Sequence, residues 1–206
     1  MITWLNQLLR VQEAESKLFW ALGSLLFLNA IATQISSVIA ISGFLGESSV
    51  NQFLLVLLVD MVIIVAVTSL QALVVDRYDR RALLRWLALA FVLVFLMLRL
   101  MFALGMPGWL NFSLLYLLSE QQWLFFPIIF WALAGDLFQS SQARRLFPTI
   151  NSLNFMGKIV GLLIAAASAG FFASTGLSVE EMTTFNALLY LVIYGLAAVR
   201  LGKASP

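Results

Sequence analysis

The chain has 206 residues, 62% of them hydrophobic and 11% charged, with a mean hydropathy of +0.99; a soluble domain carries about a quarter of its residues as charged side chains, so this composition belongs in a bilayer. Twelve Lys and Arg against ten Asp and Glu leave a formal charge of +2, but the basic residues stand in short islands and form no continuous face, which sets nucleic acid aside as a partner. With no cysteine and no histidine, disulfide frameworks, thiolate chemistry, His-centred metal sites and His general bases are excluded.

Met1 to Lys17 is polar and mixed in charge, without the short apolar core and small-residue cleavage site of a signal peptide, so the first hydrophobic segment is expected to stay in the mature protein. Residues 1–16, with Ile2, Leu5, Leu8 and Leu9 on one side, read either as a short helix lying on the membrane surface or as a frayed tail. A helix needs about 20 apolar residues to cross the hydrocarbon. Six such segments follow, from Leu18 to Gly43, Gln52 to Val75, Leu84 to Gly105, Trp109 to Gly135, Phe147 to Ala173 and Thr183 to Leu201. The expected fold is therefore all-α and polytopic, with an interfacial segment over 1–16, a six-helix transmembrane domain over 17–203 and a tail over 204–206.

Short connections carry the Gly, Pro, Asn and Ser punctuation that stops helices. Basic residues in short loops stay on the cytoplasmic side, and the tally is one-sided. Arg10 and Lys17 precede helix 1, Arg77, Arg80, Arg81 and Arg85 surround the connection from helix 2 to 3, Arg144 and Arg145 lie between helices 4 and 5, and Arg200 and Lys203 follow helix 6. The opposite connections hold only Glu47, Glu180 and Glu181. Both termini are expected to be cytoplasmic.

Four ionisable residues fall inside spans: Asp60, Arg99, Glu120 and Lys158. Each costs on the order of 3 kcal/mol if left in lipid, so each should face protein or water. Asp60 and Lys158 lie near mid-membrane; Glu120 reaches similar depth unless "SEQQ" marks an interfacial break. Arg99 lies nearer the outside, within reach of the headgroups. On helix 5, Asn151, Asn154, Lys158, Gly161, Ala165 and Ser168 recur at steps of three and four. That stripe suits a water-accessible path, and its glycines and alanines also suit a packing seam. Asn29, Thr33 and Ser36 or Ser37 on helix 1, and Asn186, Tyr190 and Tyr194 on helix 6, form comparable stripes. A pairing of Asp60 or Glu120 with Lys158 or Arg99 that only fixes helix register remains open at this point. Asp60 and Glu120 lack an accompanying nucleophile or metal-ligand spacing, so neither an enzyme nor a cofactor or metal site is expected.

Between helices 2 and 3, Ala72, Asp76, Arg77, Arg80 and Arg81 follow the pattern small, three residues, Asp, Arg, two residues, Arg, Arg. This resembles the signature loop of the major facilitator superfamily, with Ala72 and Asp79 standing where that family usually has glycine. The resemblance implies a six-helix half-bundle in which Asp76, Arg77, Arg80 and Arg81 act as a gating latch. "LRVQEAESKLFW" and "FWALAGDLFQSSQARRLFPTINSLNFMGKIVG" are similar to the bacterial and plastid ATP/ADP antiporters, whose fold is of the facilitator type. Asp136 in the Asp-Leu-Phe run and Arg144 and Arg145 in the loop from helix 4 to 5 are the specific parts. The basic residues that help hold phosphates in the first helix of that family have no counterpart in "NAIATQISSVIAIS".

The resemblance implies the N-terminal half of a facilitator-type transporter in a bacterial inner membrane, completed by a second six-helix half in the same chain or in another subunit. The solute is expected to be small and polar or anionic, nucleotides among the options. Lys158 and Arg99 would attract it, Asp60 and Glu120 would serve proton or ion coupling, and Asn151 and Asn154 would line the path. The alternative is a membrane scaffold or regulatory module that keeps this fold and binds partner proteins.

Overall fold

A hydrocarbon solvent offers backbone N–H and C=O groups no partner, so long apolar runs close their hydrogen bonds within helices. The computed structural model describes residues 11–75, 77–175 and 181–201, and these form six long helices. They are α1 (Glu13–Glu47), α2 (Val50–Val75), α3 (Arg80–Ala103), α4 (Gly108–Leu137), α5 (Ser140–Thr175) and α6 (Glu181–Leu196), the last continued by one π-helical turn, Ala197–Leu201. No strand occurs among the described residues. Five of the helices are long and apolar enough to cross a membrane, which points to integration in a bilayer. The exception is α4, whose apolar sequence is broken at its middle by the polar run Ser119-Glu120-Gln121-Gln122.

That run was a possible break, and it is none: α4 is continuous through it and through Pro127. Its side chains find places inside the bundle. Ser119 donates to the Tyr116 carbonyl at 2.7 Å, and Gln122 is fully buried against α6. Residues 1–10 of the expected surface segment lie outside the described residues. Glu13 to Ser16 belong to the first turn of α1, because Glu15 is drawn in by Arg145, 2.5 Å away at the start of α5.

The connections are sharp and their chemistry is local. Asp79 accepts from the N–H groups of Arg81 and Ala82 and so caps α3, satisfying donors that have no partner within the helix. At the far end of α3, Gly105 takes φ +69°, Gly105 N–H donates to Phe102 and Met106 N–H donates to Met101. A residue with a Cβ is strained there, and the paired bonds end the helix before Pro107.

Contacts between helix ends fix an alternating up-and-down order. At one end α1 and α5 start together (Glu15 with Arg145) and the start of α3 meets the end of α4, Arg80 donating to Asp136 at 2.6 Å. Arg81 at the same end donates to the Leu201 carbonyl, the last described residue after α6. At the other end Arg99 pairs with Glu181 and the Phe102 and Phe112 rings meet at 5.2 Å. Helix α1 is central, packed on α5, α4 and α6, while α2 leans chiefly on α4. The tightest seam is α1 on α5. A Cβ built on Gly157 would meet the Phe27 carbonyl oxygen at 2.5 Å, and one on Gly161 the Ile31 carbonyl oxygen at 2.8 Å. This small-xxx-small pair lets two backbones approach without hydrocarbon driving them together.

Candidate functional site: a charged cleft between three helices

The small-residue seam determines where Lys158 stands. Lys158 lies between Gly157 and Gly161 near the middle of α5, so the close approach of the two backbones holds it beside α1. There it lines a cavity of about 210 Å³, open on one side, together with Thr33, Gln34 and Ser37 of α1 and Glu120 and Trp123 of α4. Spacing explains the membership. Ser37 stands four residues on from Thr33 and three on from Gln34 along α1, and Trp123 three on from Glu120 along α4. Lys158 and Glu120 are both half-buried, and among the described residues neither is in an ion pair. The Lys158 ammonium lies 5.9 Å from the centre of the Phe155 ring.

A second polar assembly lies deeper. Gln122 Nε2 donates to the Tyr190 hydroxyl at 2.9 Å, and that hydroxyl donates to Asn29 Oδ1 at 2.7 Å. Asn186 Nδ2 donates to Ser36 Oγ at 2.8 Å. All five side chains are at most 3% exposed, so this layer ties α1, α4 and α6 and admits no path. The polar stripe expected on helix 1 therefore splits: Asn29 and Ser36 face the buried layer, Ser37 faces the cleft, and Thr33 borders both. On α6, Asn186 and Tyr190 join the buried layer, whereas Tyr194 borders a separate groove with Arg85 and Trp86.

The other expected site residues scatter. Asn151 lines a shallow groove with Trp131, Phe147 and Pro148, and Asn154 reaches Asn151 Oδ1 at 3.5 Å; neither shares the cleft. Arg99 was expected to attract solute or reach the headgroups, and instead it pairs with Glu181 at the start of α6, which removes it from the cleft. The register pairs of Asp60 or Glu120 with Lys158 or Arg99 do not form among the described residues. Asp60 is 4% exposed, and its Oδ1 is buried without a hydrogen-bond partner. It does not line the cleft.

In the expected latch, Arg80 holds Asp136 and the Ala132 carbonyl, Arg81 holds Leu201, and Arg77 is exposed. Asp76 lies outside the described residues. Arg145 holds Glu15, and Arg144 is exposed. Sequence reasoning passed over Gln34, Ser119, Trp123 and Gln122. Gln34 adjoins the flagged Thr33, and Trp123 stands three residues on from the flagged Glu120, one turn along the same face. Among the described residues no three carboxylates gather in a way that could hold a metal ion. No family model, curated protein or solved structure matches the chain.

Proposed function

We propose that this chain is the N-terminal six-helix half of a facilitator-type secondary transporter, with both termini cytoplasmic in a bacterial inner membrane, moving a small polar or anionic solute. The observation that carries the reading is the cleft itself. Lys158 and Glu120 are a cation and an anion at mid-helix, unpaired, beside hydroxyl and amide groups, in a part of the chain where hydrocarbon makes an idle charge costly. Charge distribution supports the direction. Every described Lys and Arg other than Arg99 and Lys158 lies toward the bundle end where α1, α3 and α5 start, as expected for a cytoplasmic side. In this reading the pairs Arg80–Asp136 and Arg145–Glu15 hold that end closed, and a second half faces the cleft.

The test is uptake into proteoliposomes. Lys158→Ala and Glu120→Gln are expected to lower flux at least tenfold, and Asp60→Asn to abolish gradient-driven accumulation while leaving exchange. Unchanged flux in all three would remove the site. No flux for any solute or nucleotide tried would favour the scaffold, a reading that the bare apolar face of α2, with Leu55, Leu58 and Val62 at 63%, 59% and 70% exposure, also suits. Tags after Gly46 and after Ser141 are expected on opposite sides of the membrane; finding both on one side overturns the topology.

A further inference from the structure

The charges in the cleft narrow the solute beyond "polar or anionic", given the transport reading on which the inference rests. Lys158 comes from α5 and Glu120 from α4, and α1 supplies only neutral groups between them, Thr33, Gln34 and Ser37. An anion would neutralise Lys158 and leave Glu120 idle; a cation would do the reverse. Either leaves one charge at mid-helix without a partner, which is unfavourable there. A solute carrying both charges satisfies both walls. The surroundings match each charge: Trp123 lies on the same face of α4 as Glu120, and an aromatic face beside a carboxylate suits an ammonium, while the hydroxyl and amide donors of Ser37 and Gln34 suit a carboxylate next to Lys158. Size agrees: the cleft's own walls enclose about 210 Å³, room for a solute of a few heavy atoms.

We propose that the cleft binds a small zwitterion, an amino acid or ω-amino acid, with its ammonium toward Glu120 and Trp123 and its carboxylate toward Lys158. The amphoteric pair then acts as a selectivity device as well as an attractor. An arrangement built for two opposite charges rejects solutes lacking one of them, as sites built around buried polar partners generally do.

The experiment uses the full chain in nanodiscs, with glycine, β-alanine and γ-aminobutyrate as a ladder of charge separation and with acetate, propionate, butyrate and the matching amines as single-charge counterparts. Binding is read by calorimetry. One rung of the zwitterion ladder is expected to bind at least tenfold tighter than both of its single-charge counterparts. Lys158→Gln should reduce it to the level of the amine, Glu120→Gln to that of the carboxylate, and Lys158→Arg should restore it. The proposal is overturned if no zwitterion exceeds its counterparts, a comparison that wild type alone decides should a variant not fold, or if Lys158→Gln leaves the preferred rung unchanged. Counterflow separates the two ideas. Lys158-dependent exchange of a simple anion or nucleotide keeps transport and removes the zwitterion; charge-dependent binding of β-alanine without any flux keeps the zwitterion site and removes transport.

Discussion

Helices α1 and α2 are both long, apolar and able to cross a bilayer, yet within their most apolar windows 56% of α1 is buried by protein and 6% of α2. Their mean hydropathies in those windows, 1.8 and 2.8, are both well within the range of a membrane span; the kind of side chain shows why one is buried and the other is not. Helix α1 interleaves Gly23, Ala30, Ala32 and Ala40 with Asn29, Thr33, Gln34, Ser36 and Ser37, whereas α2 is almost wholly Leu, Val and Ile from Phe53 to Val67 apart from Asp60. Lipid is as apolar as leucine, so bulky aliphatic residues gain little by turning inward. Small residues gain contact, and polar residues gain partners. The difference teaches that in this chain the interior is marked by what lipid cannot accommodate.

The largest expected effect lies at the α1–α5 seam. Gly161→Leu would place a side chain where a Cβ already meets the Ile31 carbonyl oxygen at 2.8 Å. The backbone cannot yield as a side-chain tip would, so loss of the folded bundle is expected, read as aggregation or loss of the thermal transition in detergent. Gly46→Leu, where nothing lies within 4 Å, serves as its control and should melt near wild type. Next comes core truncation. Leu25 is 1% exposed, and Leu25→Ala is expected to destabilise by about 2–5 kcal/mol, measured by unfolding in mixed micelles.

Smaller is the effect of the buried polar layer. Tyr190→Phe removes a hydroxyl that accepts from Gln122 and donates to Asn29, leaving both side chains buried, and a loss of about 1–3 kcal/mol is expected. Tyr194→Phe makes the contrast, since Tyr194 stands outside that layer, and it should change the midpoint by within about 0.5 kcal/mol. If Tyr190→Phe also stays within about 0.5 kcal/mol, ring packing and not hydrogen bonding holds α6 to α1.

Much of the architecture was legible because hydrocarbon imposes a coarse rule: segments of about 20 apolar residues, with charges at their ends. The six helices overlap the six segments, five of them being long and apolar enough to cross a membrane, and Glu15 and Arg145 form a bond that lets α1 and α5 start earlier than hydropathy alone suggests. The cleft was half legible. Lys158 and Glu120 stood out as charges in spans, and Gly157 and Gly161 as a seam. What spacing could not supply was which of two adjacent faces a polar residue uses. Thr33, Gln34, Ser36 and Ser37 lie close enough in sequence to serve either the buried layer or the cleft, and only the positions of α4 and α6 divide them. The partner of Arg99 was not legible, because Glu181 sits 82 residues away at the start of another helix, a distance over which no local pattern operates.

The smallest expected effects test the outward helix. Leu58→Ala and Val62→Ala on α2 remove side chains that are 59% and 70% exposed. If lipid covers that face, the lost contacts exist in the unfolded reference as well, because an unfolded helix still sits in the bilayer. Changes within about 0.5 kcal/mol are then expected, an order of magnitude below the loss at Leu25. A partner protein on the same face gives a different signature. The isolated chain would still melt unchanged, but Leu58→Trp would abolish copurification of a stoichiometric companion from membranes. Small melting shifts with no such companion assign the face to lipid, and with it the contrast between α1 and α2 to solvent chemistry alone.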